Sequence, residues 1–598
     1  MENTTVSWDL TDLFSGVDDS RIDGLLDEAS SKADKFQEDF RGKIESDNLD
    51  GVTLCGAITQ YEAILVDMVK PICYASLMFA ADTSKPEHGA LYQHVQERQT
   101  EIAVKLLFFE LELMSAKQDV MDKALEAVCI SEYRHFVLAS RQFSKFKLTE
   151  PEEKILEETA NTGCRAFERL FEEVVSALEF RITIDGEEHL LNESAVLALL
   201  RDPDREIRKN AAASLTVGLS TQAKVLTFIF NTLVQDKAVG DRLRKYEYPE
   251  QARNLSNELS RDTVEMVIDQ CATNYELVAR YYRTKREILG YDTLTHYDRY
   301  APLFEAHQMR SFEEARDIVL KSFGSFSTEM EDVAGQFFTK NWIDAAPRSG
   351  KRGGAFCMYV TPDTHPYVLM NYLNKQDDIM TLGHELGHGV HAYLARIQKY
   401  VNQSTALPVA ELASTFGEML VFNNLVADSD LDDKMALYAE KIENVFATIF
   451  RQASMYKFEQ ALHKARREEG ELTSERIGEL WQENIQAMFL DSVEMGEEHK
   501  SWWMYVNHFV ASPFYVYAYS FGELLVLALY AMYRKEGEAF VPKYMDMLRT
   551  GGSCTPEELL SRIGIDIRDQ EFWKGGIQEV ARLITDFEKL HAEWKASK

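Results

Sequence analysis

Several features common in other protein classes are scarce in this chain of 598 residues. Cysteine occurs only seven times, at positions 55, 73, 129, 164, 271, 357 and 554, with no Cys-x-x-Cys pair. An odd and scattered set excludes a disulfide framework and predicts reduced thiols in a cytoplasmic protein. Cys357 reads as a small buried residue, since a nucleophile would need a base beside it. Proline (13) and glycine (30) are too sparse for a fibrous or linker-rich chain. Basic residues are outnumbered, 65 against 98 acidic ones, for a net charge of −33. Phosphate backbones need clustered Lys and Arg, so no nucleic-acid partner is expected, and the excess acid reads as a solvated surface. The longest apolar run, Leu524–Tyr533, is far shorter than a membrane span and predicts a buried helix. The opening Met-Glu-Asn-Thr-Thr is neither basic nor apolar, so neither a secretory signal nor a membrane partner is expected.

What the chain does have is amphipathic helix. With 45% apolar residues it can bury large cores. Long stretches at 19–45, 85–116, 149–176, 260–289, 430–468 and 569–595 repeat apolar residues at helical spacing. The predicted class is mainly α. Strand signals are few: Phe180–Leu191 reads as a hairpin turning at Asp185-Gly186, and Gly354–Val360 with Pro366–Tyr372 reads as a second pair. Asn192-Glu-Ser194 caps a new helix after the hairpin. That predicts a helical N-terminal domain over 1–195 and a catalytic domain over 196–598.

Residues 384–388 read His-Glu-Leu-Gly-His. The stretch Asn374–Gln398 has no proline and carries Ile379, Leu382, Leu386, Val390 and Leu394 at helical spacing, with Asn374 and Asp377 as a capping pair. On a helix, His384 and His388 stand one turn apart on one face, with Cβ atoms about 5–6 Å apart, and can grip one metal ion. Glu385 can reach a water on that metal as general base. A third ligand is required. His391 continues the face, but seven residues of helix rise about 10.5 Å, too far for three ligands from one straight helix. The segment 407–426, opening with Pro408, presents Glu411 and Glu418 on one helical face. Glu411 is the better ligand, and Glu418 is either a supporting group or, somewhat preferred, a solvated acid. Two histidines and a carboxylate suit zinc best.

The runs Asp377-Asp378-Ile-Met-Thr-Leu-Gly-His-Glu-Leu-Gly-His-Gly-Val-His391 and Val409-Ala-Glu411-Leu-Ala-Ser-Thr resemble the oligoendopeptidase F branch of the thimet-oligopeptidase family. The likeness extends to Trp8-Asp-Leu-Thr-Asp-Leu-Phe, Tyr297-Asp-Arg-Tyr-Ala-Pro302, Gly350-Lys-Arg-Gly-Gly-Ala-Phe and His508-Phe-Val-Ala-Ser-Pro-Phe-Tyr-Val-Tyr-Ala-Tyr519, in order across nearly the whole chain. It implies a multi-helical, two-lobed metallopeptidase with a deep channel and a small β-sheet beside the metal helix. It also implies one zinc ion per chain and cleavage of short unfolded peptides. In that family a His and tyrosines downstream of the metal site stabilise the oxyanion, which points here to His508, Tyr515 and Tyr519. The His-to-Tyr interval is one residue shorter than in thimet-type relatives, which leaves open which tyrosine donates. Pro513 is expected to start the helix that carries the tyrosines, with His508 on the preceding loop.

Ser349-Gly-Lys-Arg-Gly-Gly-Ala355 lacks the Gly-Lys-Ser/Thr ending of a phosphate loop. Gly353, Gly354 and Ala355 instead predict a strand edge that a peptide backbone can join, giving affinity without side-chain specificity. The expected function is a zinc-dependent oligoendopeptidase acting inside short peptides. A metallocarboxypeptidase or dipeptidyl carboxypeptidase, or a silent peptide-binding protein, are the alternatives. No cationic anchor for a free C-terminus is assignable from sequence, and no oligomeric state is predicted.

Overall fold

The computed structural model describes residues 5–184, 186–304 and 309–597. It is 69% helical with only small sheets, as expected from the amphipathic stretches. The chain groups into two compact units that interleave along the sequence. One comprises Met1–Lys145, His307–Asp428 and Met532–Asp566; the other comprises Phe146–Ala306, Ser429–Ala531 and Ile567–Lys598. The boundary expected after residue 195 falls within the second unit's first segment, Phe146–Ala306.

In the first unit, helices Arg21–Phe40, Gly51–Ala81 and Pro86–Ser115 pack around Phe36, whose ring lies 5.5 Å from Phe108 and 5.4 Å from Phe109. Gly51–Ala81 is the one helix among the described residues long and apolar enough, by composition, to cross a membrane. Its buried face (Leu54, Ile58, Ile64, Met68) instead faces these neighbours, and Pro71 lies inside it. The same unit holds helices Phe312–Phe326, Thr328–Thr339, Gln376–Ala395 and Leu412–Asp428. Beside them is a three-stranded sheet. Tyr367–Leu369 is its central strand, parallel to Ile343–Asp344 and antiparallel to Phe356–Met358. The expected pair is present but shorter, and Ile343–Asp344 is an addition: two residues carry too little alternation to read as a strand.

The second unit contains the expected hairpin, Phe180–Ile184 against Glu187–Leu191. Asp185 lies outside the described residues, and Gly186 takes φ +84°, which glycine adopts without strain. Three of the amphipathic stretches hold two helices each. The breaks fall between Ala160 and Cys164, at Asn274 and at Ile449. Asn274 (φ −112°, ψ 21°) leaves helical geometry while the apolar spacing continues past it, so periodicity alone does not reveal the break. All seven cysteines are free thiols.

Candidate metal centre

The motif occupies the middle of helix Gln376–Ala395. The helix starts one residue later than the Asn374/Asp377 reading. Asn374 is in the left-handed region (φ +65°), and Asp378 closes the start by accepting from the backbone N–H groups of Leu373 (2.6 Å) and Lys375 (2.9 Å). The segment 407–426, expected as one helix, is divided at the third candidate ligand. Glu411 (φ −84°, ψ 5°) is the joint between a short helix, Leu407–Ala410, and the long one, Leu412–Asp428. Pro408 in that first short turn, and Tyr544 Oη donating to Leu412 O at 2.6 Å, fix the joint from both sides.

Small residues bring the two helices together. A Cβ on Gly387 would lie 2.3 Å from Ala413 O and 2.6 Å from Ser414 Cα. The backbone of Leu412–Asp428 thus rests directly on the motif helix, and Glu411 arrives beside both imidazoles.

Glu411 Oε2 is 3.5 Å from His384 Nε2 and 3.3 Å from His388 Nε2, and the ligand atoms of the three residues lie within 4.8 Å of one another. A tetrahedral ion with ligands at about 2.0–2.1 Å separates them by about 3.3–3.4 Å. The donor set and its spacing therefore fit a metal ion. His391 is not in the cluster; it is buried, with Nδ1 lacking a hydrogen-bond partner. Glu418, preferred from sequence as a solvated acid, lies 3.4 Å from His384 Nδ1. It orients that ring and leaves Nε2 free for the ion. Ser414 Oγ holds the Glu411 carboxylate by donating at 2.5 Å to Oε2, the same oxygen that faces the imidazoles. Glu418 was within reach of sequence reasoning through its i+7 spacing from Glu411; Ser414 gave no signal.

The site's electrostatics favour a cation. Burial opposes charge on His384, but Glu418, Glu411 and Glu385 outweigh it and hold the imidazole at about 9. Burial likewise pushes Glu411 up, yet His388, His384 and Ser414 bring it down to about 2. Glu385 is buried, and its Oε2 has no hydrogen-bond partner. Its carboxyl is held above the usual range by burial, against the pull of the two imidazoles. An orphaned, basic carboxylate one residue from a ligand is what a proton acceptor there requires. The Cys357 thiol is pushed well up by burial and by Glu385, which fits an inert residue.

Gly353, Gly354 and Ala355 lead into Phe356–Met358, an outer strand of the sheet. Lys351, fully buried, ties this loop down through Asp344 Oδ1 (2.7 Å) and Met370 O (2.6 Å). Gly354 takes φ +78°, with open space where a Cβ would stand. Asn371 Nδ2 donates to its carbonyl at 3.1 Å.

His508, Tyr515 and Tyr519 belong to the second unit and are brought together there. Tyr519 Oη lies 3.4 Å from His508 Nε2, the two tyrosine rings are 5.2 Å apart, and all three line a cavity of about 330 Å³. His508 opens a short helix, His508–Ala511, instead of lying on a loop. The helix expected to begin at Pro513 begins at Tyr517, because Phe514 takes φ +58°. Tyr515 therefore precedes that helix. Tyr517 faces the core, accepting from Asn257 Nδ2 at 2.8 Å. Burial holds the His508 imidazole below its usual value.

A helical chain with a His-Glu-x-x-His helix and a facing glutamate is the architecture of a metal-dependent hydrolase. Residues 198–579 match the description "Peptidase family M3", and residues 112–180 match "Oligopeptidase F". The chain belongs to peptidase family M3. It is 26% identical over 568 residues to oligopeptidase PepF of Bacillus subtilis, covering 93% of this chain and 83% of that one. It is 25% identical over 598 residues to an oligoendopeptidase F homolog of Lactococcus lactis subsp. lactis, covering 98% and 97%. The fold is similar to that of crystalline oligoendopeptidase-F from Enterococcus faecium (TM-score 0.72, 19% identity, 96% and 99% covered).

Proposed function

We propose that this peptidase is a zinc-dependent oligoendopeptidase, with one ion held by His384, His388 and Glu411, that hydrolyses internal bonds of short unfolded peptides in the cytoplasm. The observation that carries the reading is the triangle of ligand atoms beside the unpartnered Glu385 Oε2. Zinc, when bound, supplies Lewis acidity that eases deprotonation of water and polarises a carbonyl. Glu385 Oε2 receives the proton of the attacking water and delivers it to the departing amine nitrogen. Glu418 keeps the His384 ring in the orientation and tautomer that present Nε2. The outer strand Phe356–Met358, entered through Gly353 and Gly354, offers main-chain partners to an extended peptide, which favours unfolded substrates. The assignment of His508, Tyr515 and Tyr519 as oxyanion donors rests on the resemblance and on their clustering.

Mass spectrometry of products from a mixed peptide pool tests the reading. Internal fragments are expected from the wild type, including from peptides amidated at the C-terminus, and none from Glu385→Gln or after chelation. Stepwise loss of single residues or dipeptides from free C-termini alone would replace endo- by exo-action. Bound zinc with no hydrolysis at all would replace catalysis by peptide binding.

A further inference from the structure

The Tyr297-Asp-Arg-Tyr-Ala-Pro302 segment has no part in the metal chemistry, and its charges are not balanced by packing. Asp298, fully buried, is paired with Arg205 at 2.7 Å and Arg208 at 3.1 Å. Arg299, the next residue, has no such partner. It is 4% exposed, makes no ion pair among the described residues, and its Nε lacks a hydrogen-bond partner. Its guanidinium carbon lies 4.7 Å from the Tyr300 ring centre; those of Arg451 and Arg201 lie at 5.3 Å and 5.8 Å from the same ring. Neither of these makes an ion pair among the described residues, and the Arg451 Nε is also buried without a partner. Three guanidinium groups and Tyr300 thus line one cavity of about 350 Å³ within the second unit.

Such an arrangement is costly unless something compensates it. A buried, unpaired cation costs several kcal/mol, and like charges around one ring repel. One of the two acids on the wall is already engaged: Glu443 Oε1 accepts from Lys285 Nζ at 2.5 Å and from the Tyr281 hydroxyl at 2.6 Å. Lys285 and Glu443 cancel. Glu440, exposed on the cavity wall, offsets one of the three guanidinium charges, which leaves a surplus of two among the described lining residues. The Tyr300 phenol registers that surplus. Burial would raise it, yet Arg299, Arg451 and Arg201 hold it below its ordinary value.

We propose that this cavity binds a small dianionic oxyanion, a phosphate group either free or carried on a small organic ligand, gripped by Arg299, Arg451 and Arg201. Guanidinium forks match phosphate oxygens in pairs, which lysines cannot do. The volume is at the lower end of small-ligand sites, enough for a phosphate with a modest substituent. The charge surplus matches a dianion better than chloride or a single carboxylate.

Thermal unfolding and titration calorimetry of the full chain, with sodium phosphate at fixed ionic strength, test this. A saturable rise in melting temperature is expected with phosphate and not with chloride or acetate. At least tenfold weaker binding is expected in Arg451→Gln and in Arg201→Gln. The second variant alters an exposed side chain and keeps the test valid if the first fails to fold. Alkaline titration of tyrosine absorbance should show one phenol moving to higher pH with phosphate, and not in Tyr300→Phe. Tighter binding of glucose 6-phosphate than of phosphate would assign a carried group, and equal or weaker binding a free one. A response shared with chloride or acetate, no saturable response, or one unchanged in the arginine variants (phosphate acting at the metal centre) would overturn the proposal.

Discussion

Replacing Gly387 by alanine should abolish tight metal binding although residue 387 is not a ligand. The added Cβ would stand 2.3 Å from Ala413 O and 2.6 Å from Ser414 Cα, both main-chain atoms that cannot swing aside. Ordinary contacts need about 3.5 Å, so helix Leu412–Asp428 must retreat by about 1 Å. Glu411 sits two residues before Ala413, and its separations of 3.3 and 3.5 Å from the imidazole nitrogens would open to about 4 Å, outside the roughly 0.2 Å tolerance of a metal site. Overpacking of this kind costs about 1–3 kcal/mol of stability. Disturbing even an outer partner of a metal site costs about 10–100-fold in affinity, so moving a ligand should cost at least the upper end of that. Zinc competition titrations against a chromogenic chelator would measure the loss. Gly389→Ala is the control: its Cβ meets the Phe337 ring at 2.5 Å, so stability should fall while zinc affinity is kept. Wild-type zinc affinity in Gly387→Ala would refute the claim that close helix contact builds the site.

Three further outcomes are expected. Glu418→Gln should weaken zinc about 10–100-fold by loosening the His384 ring, measured by the same competition; an unchanged affinity would return Glu418 to the role of a solvated acid. Tyr519→Phe should lower turnover of a fluorogenic peptide by about 10²–10³-fold with zinc content intact; full turnover would remove it as an oxyanion donor. Glu459, buried in the second unit and accepting from Phe514 N–H at 2.8 Å, is pushed up by burial to about 8 from an ordinary 4.5. A carboxyl raised on folding contributes stability below the unfolded value and loses it as pH rises through the folded one. The wild type should therefore lose a few kcal/mol relative to Glu459→Gln between about pH 4.5 and 8. Parallel pH dependence of the two melting temperatures would contradict this.

How much of this was readable from sequence depends on how local each feature is. His384, Glu385 and His388 were legible because helix pitch alone fixes their relation, and His391 was excluded by the same arithmetic. Glu411 was legible as a residue but not as a joint. Its departure from helix comes from the backbone contact at Gly387 and from Tyr544, 133 residues further on. The helix start at Gln376 was missed because Asn374 and Asp378 compete as caps, and the left-handed turn at Asn374 decides between them. The three arginines around Tyr300 were invisible for another reason. Residues 201, 299 and 451 come from separate stretches of the chain, and nothing in a sequence marks an arginine as lacking its acid.

The glycines of the motif helix and the orphaned carboxylate share one physical cause. Helices that touch through backbone leave little room for water between them, so the more deeply buried polar atoms at the seam are answered by neighbours. At this seam Glu418 answers His384 Nδ1, and Ser414 answers Glu411. His384 Nε2, His388 Nε2 and Glu411 Oε2 converge on one another, two donors' worth of nitrogen beside an acid, and Glu385 Oε2 is answered by nothing. Protonated imidazoles can bond that carboxylate oxygen at 3.3–3.5 Å, and the same separations match the edge of a tetrahedral metal site. A metal ion held there, as proposed, would take the place of those protons and leave Glu385 Oε2, unpartnered among the described residues, to accept one from water.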